Sequence, residues 1–172
     1  RANGLLTKDG AKMSKSKGNV VNPDEYFKRY GADTLRMYLM FLGPFSEGGD
    51  WSDKGIVGIY RFFNRLWAFV LGFHQGSQSS LRLHQGDEAL RHRTIKKVTE
   101  DLENLHYNTA IAALMEYLNS LQRSENSTKE QLNTLLILLS PFAPYLTEEL
   151  WQQLGHKDNI HNQSWPSYNA KS

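Results

Sequence analysis

The chain has 172 residues, 40% hydrophobic and 22% charged, ordinary values for a globular protein long enough to bury a core. A formal net charge of +2 argues against a polyanion binder acting through bulk charge, and the lack of cysteine excludes a disulfide framework or thiolate metal site. Six scattered histidines (His74, His84, His92, His106, His156, His161) show no ligand spacing, so no protein-bound metal is expected. No signal peptide is recognised and no apolar run reads as long enough to span a bilayer, which makes a soluble cytoplasmic protein the expectation. The start, without an initiator methionine, reads as a cut piece of a longer polypeptide.

The cations are unevenly spread. Residues 1–36 hold eight Lys/Arg against four acids, whereas residues 56–172 hold eleven of each sign. The excess surrounds Lys12-Met13-Ser14-Lys15-Ser16-Lys17-Gly18, which precedes Asn19. Lysine brings a mobile point charge with three donors, and serine brings a hydroxyl. A loop built this way suits a polyphosphate whose charge shifts during reaction.

In chain order, Leu5-Leu6-Thr7 reads as a short strand, with Asp9-Gly10 as its turn. The lysine loop follows. Asn22-Pro23-Asp24-Glu25 has the form of a helix start: an N-cap, a proline at the first helical position, and acids in the first turn. Tyr26, Phe27 and Tyr30 are its expected buried side, and Gly31 stops it. A second helix from Ala32 or Asp33 is apolar nearly all round and is expected to be central and buried, with Asp33 a possible partner for Arg36. Residues 43–55 read as a Gly-rich connection anchored by Trp51. From residue 56, Ile59, Phe62, Phe63, Leu66, Phe69, Val70 and Phe73 recur at helical spacing. Residues 74–88 read as a loop. One helix is expected over 89–121, another through Leu132–Leu139 until Ser140-Pro141 breaks it, and a last one over 143–154 before Gly155. Residues 156–172 form a polar tail with Trp165-Pro166 as its anchor.

These elements give a mainly α fold: an antiparallel helical bundle preceded by a small α+β piece carrying the lysine loop. The expected divisions are 1–55, 56–155 and 156–172. The aromatics Phe62, Phe63, Trp67, Phe69 and Trp151 are read as core, and His106 as a packing histidine.

The loop, Tyr-Gly-Ala-Asp-Thr-Leu-Arg at 30–36, Trp-Ser-Asp-Lys-Gly-Ile at 51–56 and Arg-Phe-Phe-Asn-Arg-Leu-Trp at 61–67 follow one another. Asn-Thr-Ala-Ile-Ala-Ala-Leu-Met-Glu at 108–116 and Ser-Pro-Phe-Ala-Pro-Tyr-Leu-Thr-Glu-Glu-Leu-Trp at 140–151 complete the series. Together they resemble the C-terminal part of the bacterial-type leucyl-tRNA synthetases, members of class I. The resemblance covers nearly all of the chain, and the isoleucyl and valyl enzymes share part of it.

The resemblance implies ATP-dependent activation of leucine and its transfer to tRNA(Leu), with Mg2+ as the counter-ion of ATP and a monomeric enzyme. It assigns catalysis to Lys15 and then Lys12, and nucleotide contact to Lys12, Met13, Ser14, Lys15 and Ser16. Gly18 would let the loop move. The His-rich class I signature, the leucine pocket and the editing domain have no counterpart in these residues, so the piece alone is expected to be inactive. The helical part corresponds to the family's anticodon-binding domain, which in leucyl enzymes supports tRNA by backbone contact. Arg61, Arg65, Arg91, Arg93, Lys96 and Lys97 are the candidate tRNA contacts. Their other reading is solvated helix faces or ion pairs within the bundle. The alternative functions are a free-standing tRNA-binding module derived from such an enzyme, or the equivalent part of an isoleucyl or valyl enzyme.

Overall fold

The computed structural model describes residues 4–74, 85–124 and 127–169. Strand β1 (Leu5–Lys8) turns through Asp9 and Gly10, both at positive φ, into β2 (Ala11–Lys12). Asp-Gly tolerates two left-handed residues in succession, which is what a tight hairpin turn requires. Strand β3 (Gly48–Trp51) pairs parallel with β1, giving the order β2-β1-β3, with Leu5 opposite Gly48 and Lys8 opposite Trp51. A Cβ at Gly48 would lie 2.1 Å from the Leu5 carbonyl oxygen, so only glycine permits this approach. The lysine loop and two helices therefore occupy a crossover whose two ends are sewn together.

Helix α1 (Pro23–Tyr30) starts as its sequence predicts, with the Asn22 side chain accepting from the Asp24 amide at 3.2 Å. Tyr26 and Tyr30 are half-buried, but Phe27 is 45% exposed. Gly31, at φ +86, separates α1 from α2 (Ala32–Phe41). Helix α2 buries Leu35, Met37 and Tyr38 but leaves Leu39 40% exposed, so it is not enclosed all round as its composition suggested. Composition marks a residue as apolar; the contact that covers it has to be supplied by a neighbouring element.

Five helices form the bundle: α3 (Asp53–His74), α4 (Gln85–Glu103), α5 (Tyr107–Arg123), α6 (Lys129–Leu139) and α7 (Pro144–Gln153). Helix α3 packs on α5 and α7, and α4 on α5 and α6. Their shared core includes Phe62, Phe63, Leu66, Ile95, Leu114, Leu118, Leu135, Phe142 and Trp151, while Trp67 and Phe69 pack at its margin. The aromatics thus serve the core, as their spacing predicted. By length and composition, Asp53–Phe73 is apolar enough to cross a membrane, contrary to the sequence reading. In this fold its Ile56, Ile59, Phe62, Leu66 and Val70 face the protein core.

The helix expected over 89–121 is two helices. It breaks at Leu105, which takes φ +62. The Leu105 amide donates to the Leu102 carbonyl and the His106 amide to the Asp101 carbonyl at 2.7 Å. This is the double-bonded helix end in which glycine usually supplies the left-handed residue. Helix α6 opens with a capping box between Thr128 and Gln131. The loop expected over 74–88 lies, for residues 75–84, outside the described residues; helix α4 already begins at Gln85. In the tail Ile160 is 1% exposed and is the principal anchor. Trp165 is 39% exposed and donates from its indole to Thr99 Oγ1 at 2.8 Å.

Candidate functional site

Between β2 and α1, residues Lys15–Lys17 form a single 3-10 turn closed by Gly18 at φ +66, whose amide donates to the Lys15 carbonyl. Asn19 clasps the loop from behind. Its Oδ1 accepts from the Ser14 amide at 2.8 Å, and its Nδ2 donates to the Lys12 carbonyl at 3.2 Å. The Ser14 and Ser16 hydroxyls lie 3.3 Å apart. Met13 is half-buried against the core and roots the loop. Lys12, Lys15, Ser16 and Lys17 are exposed. Among the described residues none of these three lysines makes an ion pair. The result is a turn bearing three ammonium groups and two hydroxyls with no carboxylate to compete for them, which is chemistry fitted to an incoming polyanion.

At the start of α3, Asp53 gathers donors. Tyr26 donates its hydroxyl to Asp53, the Trp51 indole donates at 2.9 Å, and Lys8 Nζ lies 3.8 Å away. The tyrosine and indole hydrogen bonds hold the Asp53 carboxyl below its ordinary range. Burial, then the same hydrogen bond and charge, push the Tyr26 phenol up to about 12. Tyr26 and Tyr38 both set their rings edge-on to Trp51, at 4.8 and 5.0 Å. This joint fixes α1, and so the exit from the loop, against β3 and α3.

The six bundle cations differ in their surroundings. Arg61 and Arg93 are exposed and have no polar partner among the described residues. Arg65 donates to Asn119 Oδ1 at 2.7 Å. Arg91 binds Glu88 at 2.8 Å and Glu130 at 3.2 Å. Burial works against its charge, but Glu88 and Glu130 outweigh burial and raise its pKa further. Lys96 reaches Glu100 only at 4.0 Å, whereas Lys97 grips buried Asp101 at 2.6 Å. His106 is not packed: it is 60% exposed, at the α4–α5 break, 3.9 Å from Asp101.

The sequence reading overlooked Asn19 as the clasp, although it directly follows the loop. Helical spacing also offers Asp33 as one possible partner of Arg36. In the structure Arg36 is exposed and donates to the Pro141 carbonyl at 3.1 Å, while Asp33 Oδ2 accepts from the Leu146 amide at 2.7 Å. No local spacing could have revealed contacts to a segment so distant in the chain.

Two family models match. One, "tRNA synthetases class I (M)", covers residues 1–64, and the other, "Anticodon-binding domain of tRNA ligase", covers residues 89–172. A leucine–tRNA ligase of Thermotoga maritima is 46% identical over 98% of this chain, which spans 23% of that relative. Leucine–tRNA ligases of Geotalea daltonii and Chlorobaculum tepidum are 43% and 46% identical over 97% of the chain, which spans 22% and 21% of them. The chain thus spans between a fifth and a quarter of the length of the relatives it matches. Among solved structures, the ternary complex of Agrobacterium radiobacter K84 agnB2 LeuRS, tRNA and LeuAMS aligns with 98% of this chain and 24% of that one, at TM-score 0.81 and 32% identity. Nearly the whole chain therefore corresponds to one segment of the leucine–tRNA ligases, in which class I synthetase sequence leads into an anticodon-binding-type helical domain.

Proposed function

We propose that the chain is the part of a leucine–tRNA ligase that supplies the lysine-loop half of the ATP site and a bundle that supports tRNA(Leu). The observation that carries this reading is the exposed Lys12–Lys17 turn, free of carboxylates, on a chain 43% and 46% identical to such ligases. In the activation step a carboxylate oxygen of leucine attacks the α-phosphorus of ATP. The bond from that phosphorus to the bridging oxygen breaks, and pyrophosphate leaves with the developing charge. The Lys15 ammonium meets that charge in the transition state, where binding accelerates the reaction. Lys12 supports it, and Ser14, Ser16 and the backbone at Met13 hold the nucleotide. Mg2+ enters as the counter-ion of ATP. A hydroxyl of the tRNA terminus then attacks the adenylate carbonyl, and AMP departs.

For the bundle, Arg61 and Arg93 are the foremost phosphate contacts, because no internal partner occupies them. Arg65, Lys96, Arg91 and Lys97 rank behind them in proportion to the partners they would have to leave. The test is Lys15→Ala in the full-length ligase. Pyrophosphate exchange should fall about a hundredfold in kcat with little change in leucine KM, the size expected for losing one charge-stabilising group. A normal kcat would remove Lys15 from the reaction.

A further inference from the structure

Helix α7 cannot cap itself. Its N-cap residue is Ala143, which has no side-chain acceptor, and Pro144 follows at the first helical position. The amides of Tyr145 and Leu146 are left seeking an acceptor. Asp33 supplies it from α2, with Oδ2 2.7 Å from the Leu146 amide across 113 residues of sequence. Asp33 is 8% exposed; burial pushes its carboxyl pKa up, and the Leu146 and Tyr145 amides at the positive end of α7, with the Arg36 and His161 charges, pull it back. One turn further along α2, Arg36 donates to the Pro141 carbonyl in the turn before α7. At the far end of α2 the Tyr38 hydroxyl both donates to the Ser52 carbonyl at 2.8 Å and accepts from the Ser52 amide at 2.9 Å. Helix α2 is thus fastened to the bundle at α7 and to the start of α3, and the lysine loop and α1 lead into its N-terminal end, where Asp33 sits.

We propose that Asp33 and Arg36 are positioning residues: a latch from α2 to the α6–α7 turn that holds the bundle in register with the lysine loop. The covalent route between the two runs through residues 42–52, which lie outside any helix. Without the latch, apolar packing, the Tyr38–Ser52 contact and the Tyr26–Asp53 joint still hold α2 and α1 to the bundle, but nothing polar among the described residues fixes the α6–α7 turn on α2, and a small shift there is freed. A tRNA held by the bundle would then lose its alignment with a nucleotide held by the loop. The functional part of this inference rests on the reading given under Proposed function; the latch itself does not.

The experiment uses the full-length protein carrying these residues, with Asp33→Ala, Asp33→Asn and Arg36→Ala. Hydrogen exchange at Leu146 should speed up about tenfold or more in Asp33→Ala, as expected for the loss of a hydrogen bond to a charged group, and much less in Asp33→Asn, which keeps an acceptor. Unchanged Leu146 exchange in Asp33→Ala would overturn the latch whatever the protein's activity. In kinetics, tRNA-independent pyrophosphate exchange should stay within about twofold, while kcat/KM for tRNA in aminoacylation falls about tenfold in Asp33→Ala and Arg36→Ala and recovers in Asp33→Asn. A parallel fall in both reactions would make the contact merely structural and refute the positioning role. Wild-type protein lacking both activities would instead refute the ligase reading and leave the exchange result to judge the latch.

Discussion

Two helices of this chain end in the same way with different residues, which gives a paired test of backbone strain. At the end of α7, Gly155 takes φ +86, with its amide on the Gln152 carbonyl at 2.8 Å and the His156 amide on the Trp151 carbonyl at 3.4 Å. At the end of α4, Leu105 takes φ +62 in the matching pattern. A left-handed conformation costs a residue with a Cβ about 1–2 kcal/mol. Glycine escapes that cost but loses about 0.5–1 kcal/mol of extra backbone entropy on folding. The Leu105 side chain is half-exposed and does not belong to the packed core, so its removal forfeits little burial. Leu105→Gly should therefore stabilise the protein by about 0.5–1 kcal/mol, and Gly155→Ala should destabilise it by a similar amount. For a domain of this size that is a shift of about 2 °C in Tm in opposite directions. Thermal and urea unfolding of both variants, with Leu105→Ala as a control lacking relief of strain, make the measurement. A Tm for Leu105→Gly at or below wild type would refute the assignment of strain to residue 105.

Gly55→Ala should cost about 1–3 kcal/mol, because the new Cβ would lie 2.6 Å from the Tyr38 hydroxyl, itself fixed on Ser52; urea midpoints check this, and an unchanged midpoint would mean the ring gives way freely. Tyr26 should titrate late, near pH 12, in an absorbance titration compared with Tyr26→Phe. Since its folded pKa lies above the ordinary value of about 10, its stabilising contribution is complete below pH 10 and disappears as pH rises towards 12. Tyr26→Phe should therefore flatten the loss of stability in that window, and an unaltered alkaline profile would contradict the Asp53 joint. Neutralising Arg61 and Arg93 together should weaken tRNA binding alike for all tRNAs and lower the salt slope by about two, one unit per phosphate contact; an unchanged slope in fluorescence anisotropy would mean that both face solvent.

What could be read from the sequence was whatever is decided within a few residues. The side-chain types of the lysine loop carry the expectation of a polyanion partner, and the family resemblance narrows that expectation to ATP. Asn22-Pro23 and Gly155 marked helix ends because an N-cap acceptor, a fixed φ and a missing Cβ act locally. The ion pairs of Arg91 with Glu88 and Lys97 with Asp101 were also within reach, since they lie three and four residues apart on one helix. The break at Leu105 was not, because a leucine carries no signal for positive φ and the helical pattern continues across it. The Asp33 cap on α7 needed knowledge of which distant helix end lacks an acceptor. The exposure of Phe27 and Leu39, and the burial of Ile160, depend on what the fold brings against each side chain.

The Asn19 clasp also sets how often the lysine loop visits other shapes. Two hydrogen bonds, to the Ser14 amide and the Lys12 carbonyl, hold the resting form. At about 1 kcal/mol net each, they leave an unclasped population of roughly 3% at room temperature. For the nucleotide-binding role proposed above, that minority is large enough to be selected at a modest cost in apparent affinity. It is small enough that the three lysines, which repel one another, spend most of their time in one defined arrangement. A nucleotide has to favour the unclasped form only by about 2 kcal/mol to bring the two shapes to equal occupancy, well within the yield of a single charge-assisted phosphate contact or two.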